Sequence, residues 1–183
     1  MQIGDNMSNI VYIATSLDGF IADKKGGLEW LSAVSNPTAD DLGYKDFLGN
    51  IDAILMGRIT YETVLEFGIG WPYKKPVFVL SNTLKKVPVE LTDKVQIVNG
   101  QLKTIIAELN CKGFDNLYID GGKTVQSFLY KGLVDEIIIT IIPILLGGGA
   151  SLFGELPNHI QLKLKKSQVF LDSIVQNHYL VNR

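Results

Sequence analysis

Two stretches of this chain pass from an apolar, strand-like run into a helical pattern through glycine. One is Tyr118-Ile119-Asp120-Gly121-Gly122-Lys123-Thr124-Val125, and the other is Met56-Gly57-Arg58-Ile59-Thr60-Tyr61-Glu62. A helix that begins at such a junction presents unpaired backbone N–H groups and the positive end of its dipole to an anion. Glycine lets a phosphate approach the main chain because it has no Cβ. Two such junctions in one domain favour a ligand with several phosphates, and a dinucleotide cofactor is the natural candidate.

Strand-like and helix-like segments alternate along most of the chain. Strands are predicted at 10–14, 51–56, 76–81, 95–98, 117–119 and 137–142, and helices at 42–48, 60–67, 102–110 and 124–130. Two alternating runs at 161–170 and 175–181 predict a C-terminal antiparallel hairpin. Repeated strand–helix units predict an α/β fold with a mixed, mostly parallel sheet that carries helices on both faces.

Composition excludes several classes of protein. The 183 residues fit one domain, and 17 basic against 19 acidic residues give a net charge of −2. This balance supports neither a nucleic-acid nor a membrane partner. The single cysteine, Cys111, excludes an internal disulfide and favours a reducing compartment, so we expect a cytoplasmic protein. His159 and His178 have no second ligand at metal spacing, so we expect no metal site.

Met7 has the character of a second start, so we treat residues 1–9 as an N-terminal extension and 10–183 as a single domain. The longest apolar run, 137–146, is too short to span a bilayer.

Five motifs occur in an order that resembles the dihydrofolate-reductase-like superfamily. They are 14–22 (ATSLDGFIA), 52–62 (DAILMGRITYE), 79–81 (VLS), 120–122 (DGG) and 133–149, which begins LVDE and ends PILLGGG. The chain is most similar to the reductase domain of the bifunctional riboflavin-biosynthesis deaminase-reductase and to stand-alone dihydrofolate reductase family proteins. The resemblance extends from Ile10 to Val181 and implies a three-layer α/β/α fold.

The resemblance implies NADPH as cofactor and a set of residues that bind it. These are Ala14, Ile21, Gly57, Arg58, Ile59, Thr60, Ser81, Asn82, Gly121, Gly122, Lys123 and Thr124. Asn82 replaces an arginine that is frequent in the family, so the preference between NADPH and NADH stays open. Lys85 or Lys86 is an alternative partner for the 2′-phosphate, although a lysine pair in a loop is commonly solvated surface.

On the substrate side the resemblance implies Asp120 as a catalytic and substrate-binding residue and Trp30 as a substrate contact. Asp120 has the alternative role of a helix cap, and Trp30 that of an ordinary core residue. Asp18 is a second catalytic candidate, although the pair Asp18-Gly19 is also typical of a turn. The acid that folate-reducing relatives carry on their first helix has three candidates here, Asp40, Asp41 and Asp46.

The only arginines are Arg58 and Arg183, which argues against a dedicated grip on a phosphoribosyl group because lysine lacks the bidentate fork. We therefore expect an NADPH-dependent reductase that transfers a hydride to a small heterocyclic substrate, pteridine-like or aminopyrimidine-like. The alternative is a non-catalytic, dimeric nucleotide-binding module. A homodimer is expected through an apolar patch on the terminal hairpin, formed by Val169, Phe170, Ile174, Val175, Tyr179 and Leu180.

Overall fold

The computed structural model describes residues 7–182 and contains ten strands and four α-helices within them. The strands are β1 (Ser8–Ser16), β2 (Phe20–Ala22), β3 (Ala53–Gly57), β4 (Val77–Leu80), β5 (Val95–Val98), β6 (Asn116–Asp120), β7 (Glu136–Ile142), β8 (Ala150–Ser151), β9 (Leu162–Phe170) and β10 (Ile174–Val181). The helices are α1 (Tyr44–Gly49), α2 (Arg58–Glu66), α3 (Leu102–Cys111) and α4 (Gly122–Tyr130). Short 3₁₀ turns lie at Glu29–Ser32 and Val89–Leu91.

Eight of the strands form one sheet in the order β5-β4-β3-β6-β1-β7-β10-β9. The pairs from β5 to β7 are parallel, and β10 runs antiparallel to both β7 and β9. Strands β2 and β8 form a separate two-stranded antiparallel sheet. This architecture confirms the predicted mixed, mostly parallel sheet with a terminal hairpin.

The two faces of the sheet carry different helices. On one face, Leu117 and Ile119 of β6 lie in a cluster with Ile105 of α3 and Phe128 of α4. On the other face, Tyr118 lies in a cluster that includes Phe47 of α1 and Tyr61 of α2. Alternate residues of a strand point to opposite faces. Because both faces are covered, the central strands are apolar without interruption, as parallel strands require.

Several element boundaries differ from the prediction by one or two residues, among them the starts of β1 and α1. Strand β1 begins at Ser8, within the range assigned to the N-terminal extension, and the first six residues lie outside the described part of the chain. Helix α1 begins at Tyr44 rather than at position 42, because the backbone of Leu42 (φ 55°) and Gly43 (φ 84°) has a left-handed conformation. The side chain of Asp41 accepts a hydrogen bond from the Gly43 N–H (3.1 Å) and stabilises this bend.

The hairpin of β9 and β10 turns through Leu171 and Asp172, both with positive φ. Of the six residues in the predicted dimer patch, Val169 is 66% exposed. Ile174 is only 3% exposed because it packs with Ile142 and Trp30, so its place in that patch is wrong. The homodimer itself stays a prediction.

Within residues 7–182, no helix has the length and the apolar character needed to cross a membrane.

Candidate active site

A cleft of about 1450 Å³ lies at the carboxyl ends of β1, β3, β4 and β6. Its walls come from the residues that end these strands, from α2 and α4, and from the small sheet of β2 and β8. Ligand sites in open α/β sheets lie at this edge because strand ends and helix starts meet there. Pockets for drug-sized ligands measure roughly 300–1,000 Å³, so the cleft has room for more than one small molecule.

The structure brings all twelve predicted cofactor-binding residues to the lining of this cleft, together with Asp120. We call one part of the lining the glycine half, formed by Gly57–Thr60, Ser81–Asn82 and Gly121–Thr124. We call the other part the tyrosine half, formed by Tyr12, Tyr44, Tyr73, Tyr118 and Asp120. The role of the twelve residues in binding stays a prediction, but their proximity is a property of the fold.

The two helix starts of the glycine half interlock. A Cβ on Gly57 would lie 2.8 Å from the Thr124 hydroxyl oxygen, and a Cβ on Gly121 would lie 2.1 Å from the Thr60 hydroxyl oxygen. Gly121 also has a φ of 90°, which a side chain rarely adopts. Glycine is therefore required at both positions by contacts within the protein itself.

Both helices begin without a side-chain cap. The N-cap of α2 is Gly57 and that of α4 is Gly121, and neither helix start receives a side-chain hydrogen bond. The first-turn N–H groups of a helix have no partner within the helix and attract an anion. Asp120 is not the helix cap considered from the sequence, because its carboxylate accepts a hydrogen bond from the Gly121 N–H (2.8 Å), which precedes the first turn.

Arg58 and Lys123 supply the positive charge of the glycine half. The Arg58 guanidinium donates two hydrogen bonds to Glu62, at 3.0 and 3.2 Å, one helical turn further along α2. A positive charge at a helix start is unfavourable for the helix dipole, but Glu62 compensates it locally. The position of Arg58 therefore does not by itself require a bound anion, although a phosphate can compete with Glu62 for it.

Ser81 and Asn82 line the cleft where β4 ends. The Ser81 hydroxyl oxygen accepts hydrogen bonds from the N–H groups of Thr83 (3.2 Å) and Leu84 (2.9 Å), which fixes the loop. Lys85 and Lys86, the alternative partners for a 2′-phosphate, do not line the cleft. Instead, the cleft shares residues with a groove of about 870 Å³ between α3 and α4 that Lys103 and Lys123 line.

Ala14 and Ile21 also line the cleft. The Ile21 side chain packs so closely on the α4 start that a Cβ on Gly122 would lie 2.6 Å from its Cδ1 atom. The small sheet is fixed above α4 because the Gln126 amide donates to the Ser151 carbonyl oxygen (2.8 Å). The fold therefore positions Ile21 through Gly122, which gives a structural reason for glycine at that position.

Asp120 is the only carboxylate among the described residues that line the cleft. Burial raises its pKa to about 6, although a hydrogen bond from the Gly121 N–H and the nearby Tyr118 hydroxyl oppose the shift. Removing water from a carboxylate disfavours its charged form. A carboxyl group with a pKa near neutrality can donate or accept a proton under ordinary conditions.

Sequence reasoning missed the tyrosines around Asp120. Tyr44 lies between Tyr12 (ring centroids 5.4 Å apart) and Tyr118 (6.5 Å), and it interacts with the hydroxyl of Tyr73. Burial, followed by the negative charge of Asp120, raises the pKa of Tyr44, Tyr73 and Tyr118, so all three stay neutral hydrogen-bond donors. One signal was available in the sequence, because Tyr118 and Asp120 are two residues apart on one strand and must share a face.

Asp18, the second catalytic candidate, does not line the cleft. Its carboxylate accepts hydrogen bonds from the Ser16 hydroxyl (2.6 Å) and from the N–H groups of Leu146 (3.1 Å) and Gly147 (2.8 Å). These hydrogen bonds lower the pKa of Asp18, and the bond from the Ser16 hydroxyl has the largest effect. Its catalytic assignment is corrected, because Asp18 connects the turn after β1 to the glycine-rich loop after β7.

Trp30 is a core residue and not a substrate contact. It is 7% exposed and packs with Ile142 and Ile174 away from the cleft lining. In the 3₁₀ turn that holds it, successive side chains point about 120° apart. Leu28 and Leu31 therefore reach the cleft while Trp30 points into the core. The acids near the first helix, Asp40, Asp41 and Asp46, do not line the cleft either.

The family model of the RibD C-terminal domain matches residues 9–176. The chain belongs to the RibD C-terminal domain family. YwjB, an uncharacterized protein of Bacillus subtilis, is 36% identical over 174 residues, which cover 93% of this chain and 96% of YwjB.

Two solved structures have a fold similar to that of this chain. A candidate riboflavin biosynthesis protein from Shewanella sp. PV-4 is 54% identical, has a TM-score of 0.94, and the match covers 97% of this chain and 100% of that one. The dihydrofolate reductase of Enterococcus faecalis, complexed with NADP(H), is 17% identical with a TM-score of 0.64, and the match covers 96% of this chain and 97% of the reductase. The family match confirms the resemblance to the riboflavin-biosynthesis reductase domain, and the likeness to dihydrofolate reductase confirms the predicted fold.

Proposed function

We propose that the protein is a reductase that uses NADPH to transfer a hydride to a small heterocyclic substrate. One observation carries this proposal. A single cleft combines two uncapped, glycine-initiated helix starts with a carboxyl group whose pKa is about 6. The first feature is suited to a ligand with several phosphates, and the second is suited to a proton transfer.

The glycine half fits a dinucleotide. The helix starts of α2 and α4 offer main-chain N–H donors, and Arg58 and Lys123 offer two charges of the sign that phosphates need. Ser81 and Asn82 offer polar side chains where β4 ends. This donor set corresponds to the pyrophosphate and ribose groups of the cofactor.

The chemistry divides between the cofactor and the chain. When bound, a reduced nicotinamide supplies the hydride. Ala14 and Ile21 line the cleft, and Ile21 is held in place by its contact with the start of α4. In its protonated form, Asp120 can deliver a proton to a substrate nitrogen that gains electron density. Tyr44 and Tyr73 line the same part of the cleft and limit the access of water to Asp120.

The first test is calorimetric titration with NADPH, followed by absorbance at the NADPH band with pterin, dihydrofolate and aminopyrimidine substrates. We expect binding, and oxidation of NADPH with at least one substrate. Failure to bind NADPH would contradict the proposal. Binding without turnover of any of them would favour the non-catalytic module.

A matched pair of glycine variants tests the placement of the cofactor. In Gly122→Val the new side chain must displace Ile21, so we expect loss of NADPH binding while the circular dichroism spectrum is retained. Gly49→Val is the control, because a Cβ at Gly49 meets no atom within 4 Å and the residue lies outside the cleft. Tight binding by a folded Gly122→Val protein would place the cofactor elsewhere.

The proposal includes a homodimer. Strand β9 is mostly exposed at the edge of the sheet, and its apolar residues Leu164 and Val169 are 54% and 66% exposed. Long exposed edge strands with apolar side chains favour association. Light scattering over a wide range of concentrations should give twice the 20.2 kDa of the chain, and a constant monomer mass would contradict the dimer.

A further inference from the structure

The charges of the cleft are unevenly distributed. Among the described residues that line it, the charged side chains are Arg58, Lys123 and Asp120. Both cations belong to the helix starts of the glycine half. The tyrosine half contains the carboxyl group and no cation. Lys74 and Lys75 follow Tyr73 in the chain but do not line the cleft.

This distribution disfavours a phosphate at the tyrosine half. A phosphate beside Asp120 would have like charge, and no arginine or lysine of the lining would compensate its desolvation. The tyrosine hydroxyls are neutral donors held by their own hydrogen bonds, such as that of Tyr118 to the Tyr12 carbonyl oxygen (3.0 Å). Aromatic walls with one acid are instead suited to a flat ring that is neutral or carries a proton.

The α2 wall of the cleft adds an apolar stripe. Ile59, Thr63 and Phe67 recur every four residues and all line the cleft, with Ile59 67% and Phe67 50% exposed. Phe67 lies about 13 Å from Arg58 along the helix axis, since each helical residue rises about 1.5 Å. Leu31, in the 3₁₀ turn at Glu29–Ser32, is 39% exposed and lines the same cleft. Exposed apolar side chains that converge on one cleft mark a site for an apolar group.

We propose that the substrate is an unphosphorylated planar heterocycle whose apolar substituent packs on Phe67 and Leu31 of the cleft lining. This inference rests on the proposed function and specifies its substrate. The ring packs at the tyrosine half against Tyr44 and Tyr73, beside Asp120. The substituent extends away from the helix starts and covers the Phe67 end of the apolar stripe. The phosphates of the site then belong to the cofactor alone.

A pair of ligands that differ in one substituent tests this. The probes are 5-amino-6-hexylaminouracil and 5-amino-6-(5-phosphoribosylamino)uracil, titrated by calorimetry in the presence of saturating NADPH. We expect the hexyl compound to bind at least about tenfold more tightly, because burial of two or more methylene groups already corresponds to that factor. Equal affinity, tighter binding of the phosphorylated compound, or binding of neither compound would overturn the substrate class.

Two substitutions on α2 locate the substituent. Phe67→Ser should weaken binding of the hexyl compound about fivefold through loss of apolar contact and leave the phosphorylated compound unaffected. Leu65→Ser is the matched control, since Leu65 is 40% exposed on the same helix but does not line the cleft. Equal effects of the two substitutions would contradict this placement.

NADPH is titrated alone for every variant, and its binding separates the two proposals. Absence of NADPH binding to the wild-type protein would contradict the proposed function itself. If NADPH binds normally but the phosphorylated uracil binds as tightly as the hexyl compound or more tightly, only the substrate class is overturned.

Discussion

The glycine half and the tyrosine half of the cleft are assembled in opposite ways. The glycine half is built around main-chain N–H groups at two helix starts that each lie within a few residues of sequence, and the side chains of Arg58, Lys123, Ser81 and Asn82 add to them. The tyrosine half takes its groups from the side chains of four separate segments, since Tyr12, Tyr44, Tyr73 and Tyr118 come from β1, α1, a loop and β6. A site formed by the main chain of short segments can be recognised from the sequence. A site made of distant side chains becomes visible only in the folded protein.

The largest expected effect concerns proton transfer in the tyrosine half. Asp120→Asn should lower turnover by about 10²–10⁴-fold, the usual contribution of a general acid, and leave NADPH affinity close to that of the wild type. Because the acid acts in its protonated form, the wild-type rate should fall as pH rises through about 6, and the variant should lack this dependence. Asp46→Asn, on the exposed side of α1, is the control. If Asp120→Asn retained the wild-type pH profile of turnover, the proton would come from another group.

The next effect concerns the backbone of the glycine half. Gly121→Ala forces a Cβ onto a φ of 90° and against Thr60, so we expect a loss of about 2–4 kcal/mol in the free energy of unfolding. Gly49→Ala, at an open helical position, should change stability by less than about 1 kcal/mol. Urea denaturation measures both. Similar stabilities would mean that the interlocked helix starts contribute little to the fold.

A smaller effect is the contribution of Asp120 to the pH dependence of the free energy of unfolding. Its folded-state pKa is about 6 against an ordinary value of 3.8, so the folded protein binds the proton more tightly than the unfolded chain. Binding of this proton stabilises the folded protein to its full extent below about pH 4. The stabilisation is lost as pH rises through 6. Asp120→Asn should therefore be more stable than the wild type at pH 8, by at most about 3 kcal/mol, and the difference should vanish towards pH 4. A constant difference across this range would contradict the raised pKa.

The smallest expected effect concerns the charge of Arg58 in the glycine half. Arg58→Ala should weaken NADPH binding by about 1 kcal/mol, at the low end for a charged hydrogen bond because Glu62 competes for the guanidinium. Glu62→Gln should release Arg58 and strengthen binding slightly. Both changes should diminish at high ionic strength. Identical NADPH affinities of the wild type and Arg58→Ala at low salt would exclude Arg58 from the binding site.

The sequence predicted the fold and the glycine half because their signals are local. Uninterrupted apolar strands imply a sheet that is covered on both faces, and a glycine between strand and helix marks a helix start. Apart from the spacing of Tyr118 and Asp120, the tyrosines gave no such signal, since each of them alone has the character of an ordinary core residue. Trp30 and Asp18 were assigned to the site from motif position, and a 3₁₀ turn and a loop-to-loop hydrogen-bond network direct them elsewhere. Side-chain direction at such turns depends on tertiary contacts that motifs do not describe.

The interlocked helix starts share one spacing, Gly-x-x-Thr, at Gly57–Thr60 and at Gly121–Thr124, and each glycine contacts the threonine of the other. Two segments that are more than sixty positions apart therefore act as a single mechanical unit, and neither can shift without the other. We expect this unit to remain rigid when a ligand enters, so that the cleft adapts through the loops that carry Leu31 and Tyr73. For protein engineering, the two segments are best transplanted or redesigned as a pair, because a larger residue at either glycine requires a smaller one at the opposite threonine.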